Sequence, residues 1–275
     1  MAGRIVVGFD GSDGATAALT WAVEEARLRG WQLIAITVVD ELQPTEIGAK
    51  APDMEATLAT LRDKATRAAQ GHPVTVEHRR GGAAAELIAA CDAGDILAVG
   101  SRGRNPLAEL LIGSVSKACL THAPCRVVIV RQPAPAEPIR RVIVGVDGSE
   151  AARNALRVAD EEARLRNAAL HAVHAVYWEH LGAEFIAPTP QQLVEWGKNL
   201  VDKELERAGV AARPVVIHGH AADVLVRHSG HADLLVLGSR GRNPLATLLL
   251  GSTTDHCARH AACPVMAVPL SATTG

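Results

Sequence analysis

Aromatic residues make up only 3% of this 275-residue chain, with one tyrosine and two phenylalanines. Any core must therefore be filled by Val, Leu, Ile and Ala, the palette of parallel sheets covered by helices. Net charge is also nearly absent, at -2 with 21% charged residues. That balance gives no general attraction to nucleic acid or anionic lipid and excludes a basic-stripe binder. Five cysteines (Cys91, Cys119, Cys125, Cys257, Cys263) are odd in number and form no CxxC or metal-ligand spacing. A disulfide framework is therefore not expected, and a reducing compartment is. No window approaches the roughly 20 apolar residues of a membrane span. The opening "MAGRIVVGFDGS" runs into an apolar stretch without a signal-peptide pattern, so a cytoplasmic location is expected. Two familiar phosphate loops are missing as well. There is no G-x4-G-K-[ST], and "GFDGSDG" does not give the dinucleotide fingerprint.

What the chain does have is repetition. "GSRGRNPLAELLIGS" (100–114) returns as "GSRGRNPLATLLLGS" (238–252), changed only at Glu109 against Thr247 and Ile112 against Leu250. "VVGFDGS" (6–12) returns as "IVGVDGS" (143–149), and "EEARLR" (24–29) returns at 161–166. The early motifs are displaced by 137 positions and the late loop by 138, so one inserted residue aligns the halves. The three-proline segment "RQPAPAEPIR" (131–140) is the natural linker. Two domains are expected, at about 1–132 and 139–275, each near the usual domain size.

Within the first half, short β-branched runs alternate with helical patterns. "RIVVGF", "QLIAITVV", "PVTVEHRR", "DILAVG" and "CRVVIVR" read as strands. "ATAALTWAVEEARLRG", "MEATLATLRDKATRAAQG", "AAAELIAACDAG" and "SVSKACLTHA" read as helices. The alternation predicts an α/β fold of two tandem, doubly wound, mainly parallel five-stranded domains. In such sheets ligands sit beyond the carboxyl ends of the strands, where strand order reverses. "DGS" and "GSRG" both leave such ends.

The late loop has the spacing G-x2-G-x9-G-S, with Gly100, Gly103, Gly113 and Ser114. Glycines let a ligand approach backbone amides, and the helix start at Ser114 is a ready anion site. Arg102 and Arg104 add neutralising charge. A polyphosphate cradle is the direct reading. The plainer alternative is that these glycines only turn α/β loops.

The two glycine turns together, strand–"DGS"–helix and strand–"GSRGRNPLAELLIGSVS"–helix–strand, resemble the universal stress protein family, in the subgroup whose G-2x-G-9x-G-[ST] signature marks ATP binding. The likeness covers nearly the whole chain twice. It implies one ATP with Mg²⁺ per half. By this resemblance Asp10 and Asp147 approach the phosphates or Mg²⁺, with Gly8 and Gly145 beside them. Backbone near Val38, Val39, Ala175 and Val176 meets adenine. Gly100, Ser101, Arg102, Gly103, Arg104, Gly113, Ser114, Val115 and Ser116 hold ribose and phosphates in the first half. Gly238, Ser239, Arg240, Gly241, Arg242, Gly251, Ser252, Thr253 and Thr254 do so in the second. A stress-linked sensor or regulator with a protein partner is implied, and a homodimer is common in similar proteins.

Alternatives stand beside these expectations. Asp10 and Asp147 are also suited to capping the following helix. A slow ATPase or adenylate-transferring enzyme would use the same pockets, but neither loop carries a recurrent Glu, Gln or His to orient water. The preference among ATP, ADP and cyclic AMP stays open. Nine of twelve histidines lie in the second half without a recognisable ligand set. The segment 177–196 holds four of seven aromatics and reads as a lid, a dimer contact or a loop on its own helix.

Overall fold

The computed structural model describes residues 3–39, 54–101, 103, 112–131, 139–177, 188–241 and 250–270. The chain divides into two compact units, residues 1–134 and 135–273 apart from the last two residues.

The first unit runs β1 (Arg4–Gly8), α1 (Asp13–Arg29), β2 (Gln32–Val39), α2 (Met54–Ala68), β3 (Thr75–Arg80), α3 (Ala83–Ala89), β4 (Ile96–Gly100), α4 (Ser114–His122) and β5 (Arg126–Val130). Its strands lie in the order β3-β2-β1-β4-β5 and every pairing is parallel. The chain therefore winds outward from β1 to β3 and then crosses to the other side of β1. This puts a topological switch point between β1 and β4, where the loops after both strands flank one crevice. β4 and β5 are buried along their whole length, as expected of strands covered on both faces.

The second unit repeats the plan with β6 (Arg141–Gly145), α5 (Glu150–Arg166), β7 (Ala169–Val176), α6 (Pro190–Ala208), β8 (Arg213–His218), α7 (Ala221–Ser229), β9 (Leu234–Gly238), α8 (Ser252–His260) and β10 (Val265–Val268). Its order is β8-β7-β6-β9-β10, again all parallel. The α/β, doubly wound class expected from the alternation is what the structure has. Boundaries differ slightly. α1 begins at Asp13, two residues before the alanine-rich run, because Ser12 caps it by accepting the Ala15 amide. α3 ends at Ala89, before the full apolar pattern is complete.

The repeated "EEARLR" has a structural explanation. Glu25 pairs with Arg29 and Glu162 with Arg166, at i,i+4 spacing on α1 and α5, with all four side chains at least 95% buried. A buried ion pair tolerates no change of one partner alone, since the other is left charged out of water. All five cysteines are free and buried. Burial pushes the Cys119, Cys257 and Cys263 thiols up to about 12, and a hydrogen bond with Cys91 together with burial raises Cys125.

Candidate functional site

Each "DGS" turn is built by three local devices. Asp10 Oδ1 accepts the Ser12 amide at 3.0 Å, and Asp147 Oδ1 accepts that of Ser149 at 2.9 Å. Gly11 and Gly148 sit at φ of +78° and +85°, a region costly to side chains. Ser12 and Ser149 then cap α1 and α5. The Asx bond foreseen for both aspartates is thus present, but the helix caps are Ser12 and Ser149. The Asx bond engages one carboxylate oxygen, while Oδ2 of each faces the second glycine of the late loop. A Cβ on Gly103 would lie 3.2 Å from Asp10 Oδ2, and one on Gly241 3.5 Å from Asp147 Oδ2.

A tether that the sequence did not suggest holds the turn from below. Thr37 Oγ1 donates to the Phe9 carbonyl at 2.8 Å. At the equivalent place His174 Nδ1 lies 2.7 Å from the Val146 carbonyl, which can only accept, so Nδ1 carries the proton and donates. Both side chains are buried. Aligning Thr37 with His174 by the displacement of 137 was the available signal.

The late glycines divide into two kinds. Gly100 ends β4 against α1, and a Cβ there would come within 2.5 Å of the Gly14 carbonyl carbon. Gly238 does the same in the second unit, 2.8 Å from Ala151. These two glycines are required by helix–strand packing as well as lining the crevice. Gly113 and Gly251 close the loop base by donating to the Ser101 and Ser239 carbonyls, both at 2.9 Å. They are also the N-caps of α4 and α8, and neither helix start has a side-chain cap. Ser114 is therefore the first helical residue rather than the cap. Among the described residues, glycine at the cap leaves the first-turn amides of Ser114, Val115 and Ser116, and of Ser252, Thr253 and Thr254, without a side-chain acceptor. The hydroxyls of Ser116 and Thr254 donate to the Gly100 and Gly238 carbonyls at 2.7 Å, which docks each helix on the strand before it.

These parts enclose one cavity per unit, of about 440 Å³ in the first and about 460 Å³ in the second, within the usual size of small-molecule sites. In the first, Gly8, Asp10, Val38, Gly100, Gly103, Gly113, Ser114, Val115 and Ser116 all line the space. Gly145, Asp147, Ala175, Gly238, Arg240, Gly241, Gly251, Ser252, Thr253 and Thr254 line the second. Val39, Val176, Ser101 and Ser239 do not line them. Arg102, Arg104 and Arg242 lie outside the described residues.

The sequence reading missed the apolar wall. Ile36, Ala83 and Leu87 form it in the first cavity, and Val173, Ala221 and Leu225 in the second. Strand alternation could have found Ile36 as the same-face neighbour of Val38. Each cavity thus has an anion-seeking pole at a helix start, an apolar wall from β2 and α3 or β7 and α7, and an aspartate in its lining.

Among the described residues no group of three or more His, Cys, Asp or Glu could hold a metal ion, and no helix is long and apolar enough to cross a membrane. The aspartates suit Mg²⁺ only in the mode where one carboxylate and ligand phosphates share the ion.

Comparison with known proteins agrees with the duplication. The sequence model described as the universal stress protein family matches residues 1–131 and again 138–269. A universal stress protein of Mycolicibacterium smegmatis is 31% identical over 96% of both chains, and one of Mycobacterium tuberculosis is 31% identical over 95% of both. The crystal structure of a universal stress protein from Archaeoglobus fulgidus superposes with a TM-score of 0.68 at 20% identity, covering 98% of this chain and 97% of that one.

Proposed function

The chain belongs to the universal stress protein family in tandem form, and from that premise we propose that each half binds one adenine nucleotide, ATP with Mg²⁺, and that the ligand state regulates a protein partner. The observation that carries this reading is the pair of helix starts, α4 and α8, opening on glycine caps into cavities with an apolar far wall. Uncapped first-turn amides at the positive end of the helix dipole favour phosphate. The wall at Val38 and Leu87, or Ala175 and Leu225, suits a purine.

In this reading the amides of Ser114–Ser116 and Ser252–Thr254 take the phosphates, with the late-loop arginines neutralising charge. Asp10 in the first half and Asp147 in the second would each hold a Mg²⁺, which would supply charge neutralisation. Binding rather than turnover is favoured because, among the described residues, Asp10 is the one titratable side chain lining the first cavity and is also the Asx acceptor of its own turn. A cytoplasmic homodimer completes the proposal.

The test is to denature the purified protein and identify the released small molecule by chromatography, then titrate nucleotide-free protein with ATP in a calorimeter. Two adenine nucleotides per chain are expected. A nucleotide-free preparation that also ignores added ATP refutes the proposal. Steady phosphate release in the ordinary enzyme range of about 1 to 1,000 per second, abolished by Asp10→Ala with Asp147→Ala, would make the protein an ATPase instead.

A further inference from the structure

The two cavities share a plan but differ at both poles, and we infer that they are tuned to different nucleotides: the first to the triphosphate, the second to a nucleotide carrying a single phosphate, such as AMP. This rests on the reading of both cavities as adenine-nucleotide sites.

The difference at the phosphate pole lies in the first turns of α4 and α8. α4 has no acidic residue there and carries exposed Lys117 as its fourth residue. α8 has Asp255 at the same place. The carboxylate of Asp255 pairs with Arg259 at 2.7 Å, and its Oδ1 is buried without a hydrogen-bond partner. A carboxylate in the first turn already complements the positive end of the helix and weakens its pull on further negative charge. Lys117 adds to that pull. Arg259 offsets part of the charge of Asp255, but it lies one turn further from the amides. The late-loop arginines are of the same type in both halves and do not separate them. The loops differ in charge only at Glu109 against Thr247, both outside the described residues.

At the apolar pole the difference runs the other way. Tyr177, just past β7, stacks on His220 with ring centroids 3.9 Å apart and planes at 35°. His220 immediately precedes Ala221, which lines the second cavity. This pair makes an aromatic rim beside the wall that would receive the base, and the first half has Gly82 where the second has His220. Base contact is worth the same to ATP and AMP, whereas the helix-start charge discriminates between them. A site with less positive charge at its helix start gives up less affinity when phosphates are removed.

Calorimetry on Gly241→Val and Gly103→Val isolates the first and second site respectively, using ATP and AMP in EDTA. ATP carries roughly two more negative charges than AMP. With the side chain roughly 10 Å from the phosphates, partly screened, the ratio Kd(AMP)/Kd(ATP) should be about three- to tenfold larger at the first site than at the second. Lys117→Asp, an exposed change that leaves packing alone, should lower the first site's ratio by a similar factor. Tyr177→Ala should weaken both ligands equally at the second site and neither at the first. Ratios equal within twofold at the two sites, or a first-site ratio unmoved by Lys117→Asp, overturn the inference while two nucleotides per chain still bind. Failure of both nucleotides to bind either half, in EDTA and again with Mg²⁺, removes the parent reading and this one with it.

Discussion

Gly238 and Gly241 stand three residues apart in one motif, yet replacing them should have opposite consequences. A Cβ at Gly238 would lie 2.8 Å from the Ala151 carbonyl carbon and its Cβ, and 2.9 Å from its carbonyl oxygen. These are mainly backbone atoms of α5, which can step aside only if the helix shifts. Overpacking of this kind typically costs about 1–3 kcal/mol, so Gly238→Ala should lose about 2–3 kcal/mol of stability in the second unit. A Cβ at Gly241 would meet Asp147 Oδ2 at 3.5 Å, ordinary contact, and no other atom of the described residues within 4 Å. Gly241→Ala should therefore stay within about 0.5 kcal/mol of the parent. Gly241→Val adds two methyl groups at the edge of the cavity and should lower nucleotide stoichiometry from two to one without unfolding the chain. Nucleotide at 100 times its dissociation constant stabilises by about 2.7 kcal/mol per site, so this variant should lose that increment for its own half only. Urea unfolding with and without ATP, together with calorimetric stoichiometry, reads both effects. If Gly238→Ala unfolds like the parent, the packing explanation of that glycine is wrong. If Gly241→Val loses both nucleotides while folded, the two cavities are not independent.

The buried pair on α5 gives a second test: Glu162→Gln removes the carboxylate charge facing buried Arg166 and should cost more than about 1 kcal/mol in urea unfolding, whereas Glu24→Gln, breaking the exposed pair with Arg27, should change stability by less than about 1 kcal/mol. The third concerns pH. Desolvation lowers His78, His171 and His228 below their ordinary 6.5. The unfolded chain then binds more protons below that pH, and thermal stability should fall on acidification through about pH 6. His78→Phe should flatten that acid limb, because both ring nitrogens of His78 are buried without partners. At the alkaline end the raised thiols keep their protons in the folded state while the unfolded chain loses them above about 9, so stability should also fall from pH 9 towards 12. Cys257→Ala and Cys263→Ala, compared with the parent across that range, should each show a shallower decline.

The duplication, the linker, the alternation of strands and helices and the glycine spacing are properties of local pattern, and the sequence alone determined them. Periodicity and turn chemistry need only neighbours in the chain. It also brought the "DGS" and "GSRG" turns to one crevice, because the ends of β1 and β4 converge in any sheet of this winding. Their reasons were another matter. Gly100 and Gly103 look alike in the motif, but only the approach of α1 to β4 makes one a packing requirement and leaves the other facing Asp10. The repeated "EEARLR" is only a repeat in the sequence, and the tertiary burial of Glu25 and Arg29 is what makes it an interior ion pair. Thr37 and His174 look unrelated until the fold sets each under the carbonyl before a "DGS" turn. Apolar walls such as Leu87 and Leu225 come from helices that no motif marks. Contacts between elements distant in sequence depend on how the sheet winds and how closely helices settle on it, and local pattern does not encode those distances.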